Sequence, residues 1–190
     1  TNFTAARKIY FDDVISWFNY NNETTGSIWL KTNISTNATI DRKLINWNNT
    51  LMQWNDTNST AGITMRYNIT GLLTSTIYQI FNNSVAAYVS KTDSSGNLNF
   101  TIYLSGEREI KVQRGISACF ELSMTGETYY LVANIINSSA TVCMNITAQN
   151  VTLNCQGYTI DGNDTSNTYG VYSNQYNSTI KNCNISDWGY

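Results

Sequence analysis

The sequence predicts an all-β protein: an antiparallel β-sandwich followed by the first coils of a parallel solenoid of short strands. Strands rich in Ile, Tyr, Val and Thr recur at roughly ten-residue intervals in residues 1–114. Residues 115–190 instead repeat one short strand pattern, and helical periodicity is weak throughout. With 190 residues and 42% hydrophobic side chains, the chain suffices for one large domain or two small ones.

The first half, residues 1–114, contains no cysteine, and its predicted strands alternate apolar and polar residues. They are KIYF, SIWLKTN, GITMRYNIT, TIYQIF, VAAYVSK, LNFTIYL and EREIKVQ. Clusters of Asn, Ser and Gly separate them, as in an antiparallel sandwich. Residues 41–60 fit either a helical turn or a long loop, because Leu44, Trp47, Leu51 and Trp54 are three and four residues apart.

Three residues of this half have predicted structural roles. Gly96, which ends the turn sequence DSSG, supplies the positive φ of a tight or bulged hairpin connection. Leu72-x-Thr74-x-Thr76-x-Tyr78 resembles the fibronectin type III pattern Leu-x-Pro-x-Thr-x-Tyr, with Thr74 in place of the usual proline. The resemblance implies an immunoglobulin- or fibronectin-like sandwich, in which the Tyr78 hydroxyl bonds to the backbone at a corner. A sugar-stacking role for Tyr78 is the alternative.

The second half repeats a strand–turn–strand pattern. NVTLNCQG at residues 150–157 and NSTIKNCN at residues 177–184 are offset by 27 residues, and YTIDG and NISDW follow them. Asn145-Ile-Thr147 is a weaker earlier copy. A recurrence of about 20 to 30 residues predicts a solenoid whose coils bury their inward faces against one another. The predicted inward residues are Val151, Leu153, Ile160, Ile180 and Ile185.

This half resembles the right-handed parallel β-helix region of archaeal exported proteins, a family related to carbohydrate-binding and sugar-hydrolase β-helices. The resemblance is carried by CFELSMTGETYYLVANI, CMNITAQNVTLNCQGYTIDG, VYS and STIKNCNIS. It implies a fold and no particular activity, because one fold hosts many functions. The copper handling of some members is not carried over, since copper sites use His, Cys or Met and this chain has no histidine.

Sixteen Asn-x-Ser/Thr acceptor motifs predict an exported, heavily N-glycosylated protein. With 27 Asn, 25 Thr and 18 Ser in the chain, random order would give about six such motifs. Each glycan needs a surface asparagine, so Asn68 and Asn99 are expected to point outward. The alternative is that Asn and Thr are simply common and alternate on exposed strands. The predicted sites are Asn2, Asn22, Asn33, Asn37, Asn48, Asn55, Asn58, Asn68, Asn82, Asn99, Asn137, Asn145, Asn150, Asn163, Asn177 and Asn184.

The four cysteines, Cys119, Cys143, Cys155 and Cys183, favour two disulfides in an oxidising compartment. Their spacings of 24, 12 and 28 residues match no zinc pattern. Aligning the two repeats places Cys155 one position from Cys183, which makes a bond between them plausible. A Cys119–Cys143 bond would close a loop of about 25 residues at the solenoid entrance and contribute about 3 kcal/mol. Four buried free thiols are the alternative.

The sequence offers no catalytic constellation, so a non-enzymatic protein without a cofactor is predicted. A chain without histidine has no Ser-His-acid arrangement, and no glycine-rich loop follows a strand. Asp161 and Asp187 follow the second strands of their coils and are candidates for a carboxylate pair, as in sugar-cleaving enzymes, or for turn residues. For calcium, the candidate ligands are DGNDTSN from Asp161 and the Asp12-Asp13 pair.

The composition limits the classes of partner that the chain is expected to bind. The net charge is −2 and 13% of residues are charged, about half the globular average of roughly 25%, so the basic footprint of a nucleic-acid binder is absent. No apolar run approaches the ~20 residues of a membrane span. Thr1 opens directly into polar sequence, which predicts a processed N-terminus and argues against a type IV pilin.

Together these patterns predict an extracellular structural subunit of a cell-surface filament or layer, which assembles with copies of itself or other surface proteins. The repeat stops in mid-pattern after Cys183, which predicts either a longer β-helix or an end covered by another subunit. Residues 1–18 are the candidate donor segment for strand exchange. One alternative is an adhesin or carbohydrate-binding module that uses aromatic residues of the second half or those around Trp47 and Trp54. Another is part of a polysaccharide-active β-helix enzyme.

Overall fold

The computed structural model describes residues 7–12, 17–22, 28–34, 38, 40–58 and 62–189. Within these residues the protein is all-β, with nineteen strands and no helix, as predicted. It follows that none of them forms an apolar helix of membrane-spanning length. The chain divides into two compact units, Thr1–Arg114 and Gly115–Tyr190.

The first unit forms two five-stranded antiparallel sheets in a sandwich-like arrangement. One sheet has the order β1-β2-β3-β6-β9 and the other β4-β5-β10-β7-β8. One hydrophobic core draws side chains from both sheets. The strands are β1 (Arg7–Asp12), β2 (Trp17–Asn22), β3 (Trp29–Ile34), β4 (Ile40–Trp47), β5 (Leu51–Asn58), β6 (Ile63–Thr70), β7 (Ile77–Asn82), β8 (Val85–Lys91), β9 (Leu98–Leu104) and β10 (Arg108–Arg114).

Period-two patterning explains these strands. In β9, Leu98, Phe100, Ile102 and Leu104 are buried, whereas the three residues between them are exposed. Alternation of this kind places one face of a strand in the core and the other in water. The seven predicted strands all appear, whereas β2 (WFNYNN) was not predicted.

The described part of the segment 41–60, residues 41–58, forms neither a helical turn nor a long loop, so that expectation is wrong there. Described residues 40–58 are a hairpin of β4 and β5, closed by Asn48, whose Oδ1 accepts hydrogen bonds from the backbone N–H groups of Thr50 and Leu51. A register shift in β4 places Leu44 and Trp47, three residues apart, against the same core. This β-bulge imitates the spacing of a helix.

The positions predicted to be structural lie together at one end of this unit. The buried Tyr78 side chain donates a hydrogen bond from its hydroxyl to the backbone carbonyl of Asn49, at 3.2 Å. Leu72 is buried, and its N–H donates to the carbonyl of Gly96 at 3.1 Å. Gly96 has a φ of 75°, and a Cβ there would collide with the Leu72 carbonyl oxygen. Both the turn and the close approach therefore require glycine.

A buried ion pair lies within the core of the first unit. Arg42 donates from Nε and Nη2 to the two carboxylate oxygens of Asp56, each at 2.6 Å, and from Nη1 to Thr32 at 2.9 Å. Asp56 also accepts hydrogen bonds from the Tyr67 hydroxyl at 2.7 Å and from Trp54 Nε1 at 3.3 Å. The exposed fractions of the Arg42 and Asp56 side chains are 9% and 0%. Burial, and next the Asp56 charge, raise the pKa of Tyr67 well above its usual value, which keeps its hydroxyl a donor.

Part of the predicted donor segment, residues 1–18, is described by the structure. Residues 7–12 form β1, which pairs antiparallel with β2 of the same chain, and β2 pairs with β3. Residues 1–6 and 13–16 lie outside the described residues. In this structure, therefore, β1 extends the sheet of its own chain.

The second unit consists of three parallel three-stranded sheets, ordered β11-β14-β17, β12-β15-β18 and β13-β16-β19. The chain visits each sheet once before returning to the first, so three successive repeats are stacked: β11–β13, β14–β16 and β17–β19. The strands are β11 (Phe120–Leu122), β12 (Thr128–Tyr130), β13 (Ile135–Ser138), β14 (Val142–Ile146), β15 (Thr152–Asn154), β16 (Thr159–Gly162), β17 (Tyr169–Ser173), β18 (Thr179–Lys181) and β19 (Asn184–Ser186).

Apolar residues of the repeats stack in register. Leu153 lies beside Ile180, as the 27-residue offset predicts, and Tyr129 lies beside Leu153 on the other side. The predicted earlier copy at Asn145-Ile-Thr147 is wrong, because Thr128 is the residue that pairs with Thr152. The first repeat escaped detection because its offset is 24 residues and its strand reads TYY rather than TLN.

Each disulfide joins one repeat to the next. Cys119, just before β11, is bonded to Cys143 in β14. Cys155, just after β15, is bonded to Cys183, which follows β18. No cysteine is free. The alternative of four free thiols is therefore not what the structure contains.

We predict that Asp56→Ala destabilises the first unit by about 3 to 5 kcal/mol, because it leaves the Arg42 charge buried and unpaired. Urea unfolding followed by tryptophan fluorescence measures this, since Trp47 and Trp54 lie in the same core. The control is Gln53→Ala, which removes an exposed hydrogen bond to Asn46 and should cost no more than about 0.5 kcal/mol. Equal losses from the two substitutions would contradict the prediction.

Candidate functional site

The third repeat of the second unit presents an apolar edge. Its strands β17, β18 and β19 each lie at the end of their sheet and pair with no further strand among the described residues. Ile180 and Ile185 are each 45% exposed, whereas Leu153 and Ile160, the residues they stack on, are fully buried. The two isoleucines pair with the residues expected from the repeat, but they are not buried as expected. We call this surface the third-repeat edge.

Three exposed tyrosines lie on or just after β17, one of the strands of the third-repeat edge. The rings of Tyr169 and Tyr172, both on β17, are tilted by 59° with centroids 5.8 Å apart, and both side chains are exposed. Tyr176 is the most exposed of the three. Exposed rings of this kind present an apolar face together with a hydroxyl that can hydrogen-bond. The sequence gave no signal that these rings would meet; it contributed VYS of β17 only to the resemblance to β-helix proteins.

The two tryptophans proposed as part of a sugar platform are buried instead. Trp54 is fully buried, and Trp47 is only 7% exposed. Their ring centroids are 5.9 Å apart in an edge-to-face contact, and Trp54 makes a second such contact with Tyr67. The expectation of a surface aromatic site around them is therefore wrong, because both point into the core from the β4–β5 hairpin.

The carboxylates Asp161 and Asp187 meet on the surface of the second unit, as their positions after successive strands suggested. Asp161 accepts hydrogen bonds from the backbone N–H of Asn137 at 3.0 Å and from the Ser186 hydroxyl at 2.7 Å, and these bonds lower its pKa. A hydrogen bond to Asp161, and next the charge of Asp164, raise the pKa of Asp187. Two neighbouring carboxyl groups with pKa values displaced in opposite directions suit acid–base chemistry and equally a hydrogen-bonded turn.

The calcium candidates gain no support from geometry. In the loop after β16, Asn163 Oδ1 accepts hydrogen bonds from the N–H and hydroxyl of Thr165, and the Asp164 N–H donates to the carbonyl of Asp187. The described residues contain no group of three or more acidic or cysteine side chains placed to hold a metal ion. Asp13 lies outside the described residues, and the Asp12 side chain is not described.

Most of the predicted glycosylation sites that the structure describes are accessible to some degree. Asn58 is the exception, with an exposed fraction of only 7%, so the expected surface position is not met there. The exposed sites are Asn99, Asn137, Asn150, Asn163, Asn177 and Asn184, and the half-buried ones are Asn33, Asn48, Asn55, Asn68, Asn82 and Asn145. Asn2 and Asn37 lie outside the described residues, and the side chain of Asn22 is not described.

The first unit carries an open groove that the sequence did not indicate. Its volume is about 560 Å³, and residues of β6, β8 and β9 line it, Asn99 among them. The stacked rings of Tyr67 and Phe100, with centroids 5.1 Å apart, also border it. Both rings belong to the core packing, so the groove has an aromatic wall that also supports the fold.

No known protein family, curated protein or solved structure matches this chain.

We predict that Asp187 titrates at a higher pH than Asp161. Because its folded-state pKa is raised, the hydrogen bond that protonated Asp187 donates is fully present at low pH and is lost as the pH rises through that pKa. Titration of the carboxyl carbons by NMR measures both groups. Asp161→Asn should lower the pKa of Asp187 towards its usual value, and Asp164→Asn, which removes only a neighbouring charge, should lower it less. Equal pKa values for Asp161 and Asp187 would contradict this.

Proposed function

We propose that this chain is an exported, N-glycosylated protein of archaeal type that serves as a structural subunit of an extracellular assembly, a filament or surface layer. The observation that carries the proposal is the third-repeat edge. Ile180 and Ile185 continue two buried apolar rows into water. An apolar surface beside unpaired strand edges is typical of an interaction site.

In the proposed assembly a second copy of the chain occupies this edge; in a longer chain, a further repeat of the same protein would occupy it. A strand added beside β18 or β19 would continue a register that two earlier repeats already follow. Head-to-tail addition of this kind generates a filament when the rotation does not close. The apolar rows would then be buried between subunits as they are buried within the unit.

Export is supported by the disulfides and the surface asparagines. Disulfides persist in oxidising compartments and are rare in the cytosol. Six acceptor motifs have exposed asparagines in the described residues, in the positions that glycans need. Both features fit a protein that works outside the cell.

The fold that we propose for the second unit is the beginning of a right-handed parallel β-helix, with a fibronectin-like sandwich before it. Parallel sheets visited in rotation, with one strand per repeat in each sheet, support the first assignment. The hydrogen bond from the Tyr78 hydroxyl to the backbone supports the second.

We also propose that the chain acts without catalysis. The oxygens of Asp161 are already engaged by a backbone N–H and a hydroxyl on adjacent strands, which suits a structural role in the turn. A loss of polysaccharide-cleaving activity on Asp161→Asn would instead support the enzymatic alternative.

We predict that negatively stained material from the native source shows regular fibres or a lattice, and that Ile185→Asp abolishes them by placing a charge on the apolar edge. The matched control is Ile45→Asp, at an isoleucine of the first unit whose side chain is also 45% exposed. It should assemble normally. Dispersed wild-type particles, or fibres from the Ile185→Asp variant, would contradict the proposal, and circular dichroism checks that both variants fold.

A second candidate function is carbohydrate binding, favoured by the exposed Tyr169–Tyr172 pair. If this pair is a sugar platform, Tyr172→Ala should weaken binding on a glycan array about fivefold, since aromatic contacts contribute on the order of 1 kcal/mol. Tyr103→Ala, at an exposed tyrosine of the first unit, is the control. Unchanged binding by the Tyr172 variant would remove this candidate.

A further inference from the structure

Two pairs of predicted glycosylation sites face each other across neighbouring strands. Asn68 on β6 is the direct partner of Asn99 on β9. Asn150 and Asn177 precede β15 and β18 at equivalent corners, two residues before the paired Thr152 and Thr179. Facing positions on neighbouring strands are only about 4.5 to 5.5 Å apart. A pyranose ring with its hydroxyl groups is at least as wide as that spacing, so one pair has room for one glycan.

In each pair one asparagine donates and the other accepts. Nδ2 of Asn68 donates to Oδ1 of Asn99 at 2.6 Å, and Nδ2 of Asn177 donates to Oδ1 of Asn150 at 3.0 Å. Nδ2 is the atom that N-glycosylation modifies. The donating asparagine therefore has its reactive nitrogen held against its neighbour, whereas the accepting one uses only its oxygen.

The surroundings of the accepting asparagines leave space for a sugar. Asn99 is exposed on the edge strand β9, whereas Asn68 is half-buried. On the other side of Asn150, the equivalent corner of the first repeat is Gly126, where an added Cβ would meet nothing within 4 Å. All three corner residues have positive φ, so Gly126 matches the backbone of Asn150 and Asn177 but leaves the side-chain space open.

The same hydrogen bond occurs where no acceptor motif exists. Asn182 Nδ2 donates to Asn154 Oδ1 at 3.1 Å, and neither residue is followed by Ser or Thr at the second position. These asparagine–asparagine hydrogen bonds between repeats, called here the asparagine ladder, therefore have a structural role that is independent of glycosylation. In each facing pair, the donating asparagine has that structural role.

We propose that each facing pair carries one N-glycan, on Asn99 and on Asn150, and that Asn68 and Asn177 stay unmodified. The proposal rests on the export and glycosylation of the protein proposed above. In the transfer, Nδ2 attacks the anomeric carbon of a lipid phosphate-linked oligosaccharide and forms the nitrogen–carbon bond. The bond from that carbon to the phosphate oxygen breaks, the lipid phosphate leaves, and one Nδ2 proton is lost.

The test removes each acceptor motif through its threonine and leaves the asparagine ladder untouched. Intact-mass and glycopeptide spectrometry would compare wild type with Thr101→Ala, Thr152→Ala, Thr70→Ala and Thr179→Ala, produced in the native source. We expect the first two variants to lose one glycan mass each, at Asn99 and Asn150. The other two, whose motifs serve Asn68 and Asn177, should keep the wild-type mass.

Three results would overturn the inference. These are a glycan lost on Thr70→Ala or Thr179→Ala, no loss on Thr101→Ala or Thr152→Ala, or both asparagines of a pair modified in one molecule. If these pairs fail while exposed sites outside any facing pair, such as Asn137 and Asn163, carry glycans, only the pair rule is wrong. If no asparagine is modified anywhere, the proposed glycosylation fails with it.

Discussion

The first unit depends on the buried pair of Arg42 and Asp56. The carboxylate receives hydrogen bonds from β4, β5 and β6, and the guanidinium reaches Thr32 on β3, so this one cluster ties both sheets together. Any slip of one strand by a residue would turn one of these groups to the other face of its sheet and leave a buried charge unpaired. The ion pair therefore specifies which residues of the two sheets meet, whereas apolar packing supplies most of the core.

In the second unit, repetition fixes the register of the strands. Leu153 and Ile160 lie beside Ile180 and Ile185 in the next repeat. Gly126, Asn150 and Asn177 turn the chain at the same corner with positive φ. Asparagine has two roles at these corners. It tolerates the left-handed backbone, and its side-chain amide forms a hydrogen bond with the neighbouring repeat. The abundance of asparagine in the sequence thus has a structural component in addition to its acceptor motifs.

The sequence was sufficient for the all-β class, for most strands and for the alignment of Leu153 with Ile180, since period-two patterning and exact repeats are local signals. It was insufficient for the β4–β5 hairpin, where a bulge gave Leu44 and Trp47 a helical spacing. The Asp161–Asp187 contact was foreseeable from the repeat. The tyrosine pair and the hydrogen-bond direction within facing asparagines were not, because both depend on side-chain orientation across strands.

The placement of the two disulfides has a mechanical consequence. A pulling force along the second unit would normally peel one repeat from the next, hydrogen bond by hydrogen bond. The Cys119–Cys143 and Cys155–Cys183 disulfides close segments of 24 and 28 residues. These segments cannot extend when the chain is pulled, because the force passes through the disulfide. Fully stretched, those segments would add about 80 Å and about 95 Å. Under a pulling force the second unit would thus extend by less before its repeats were lost, for as long as both bonds stay oxidised.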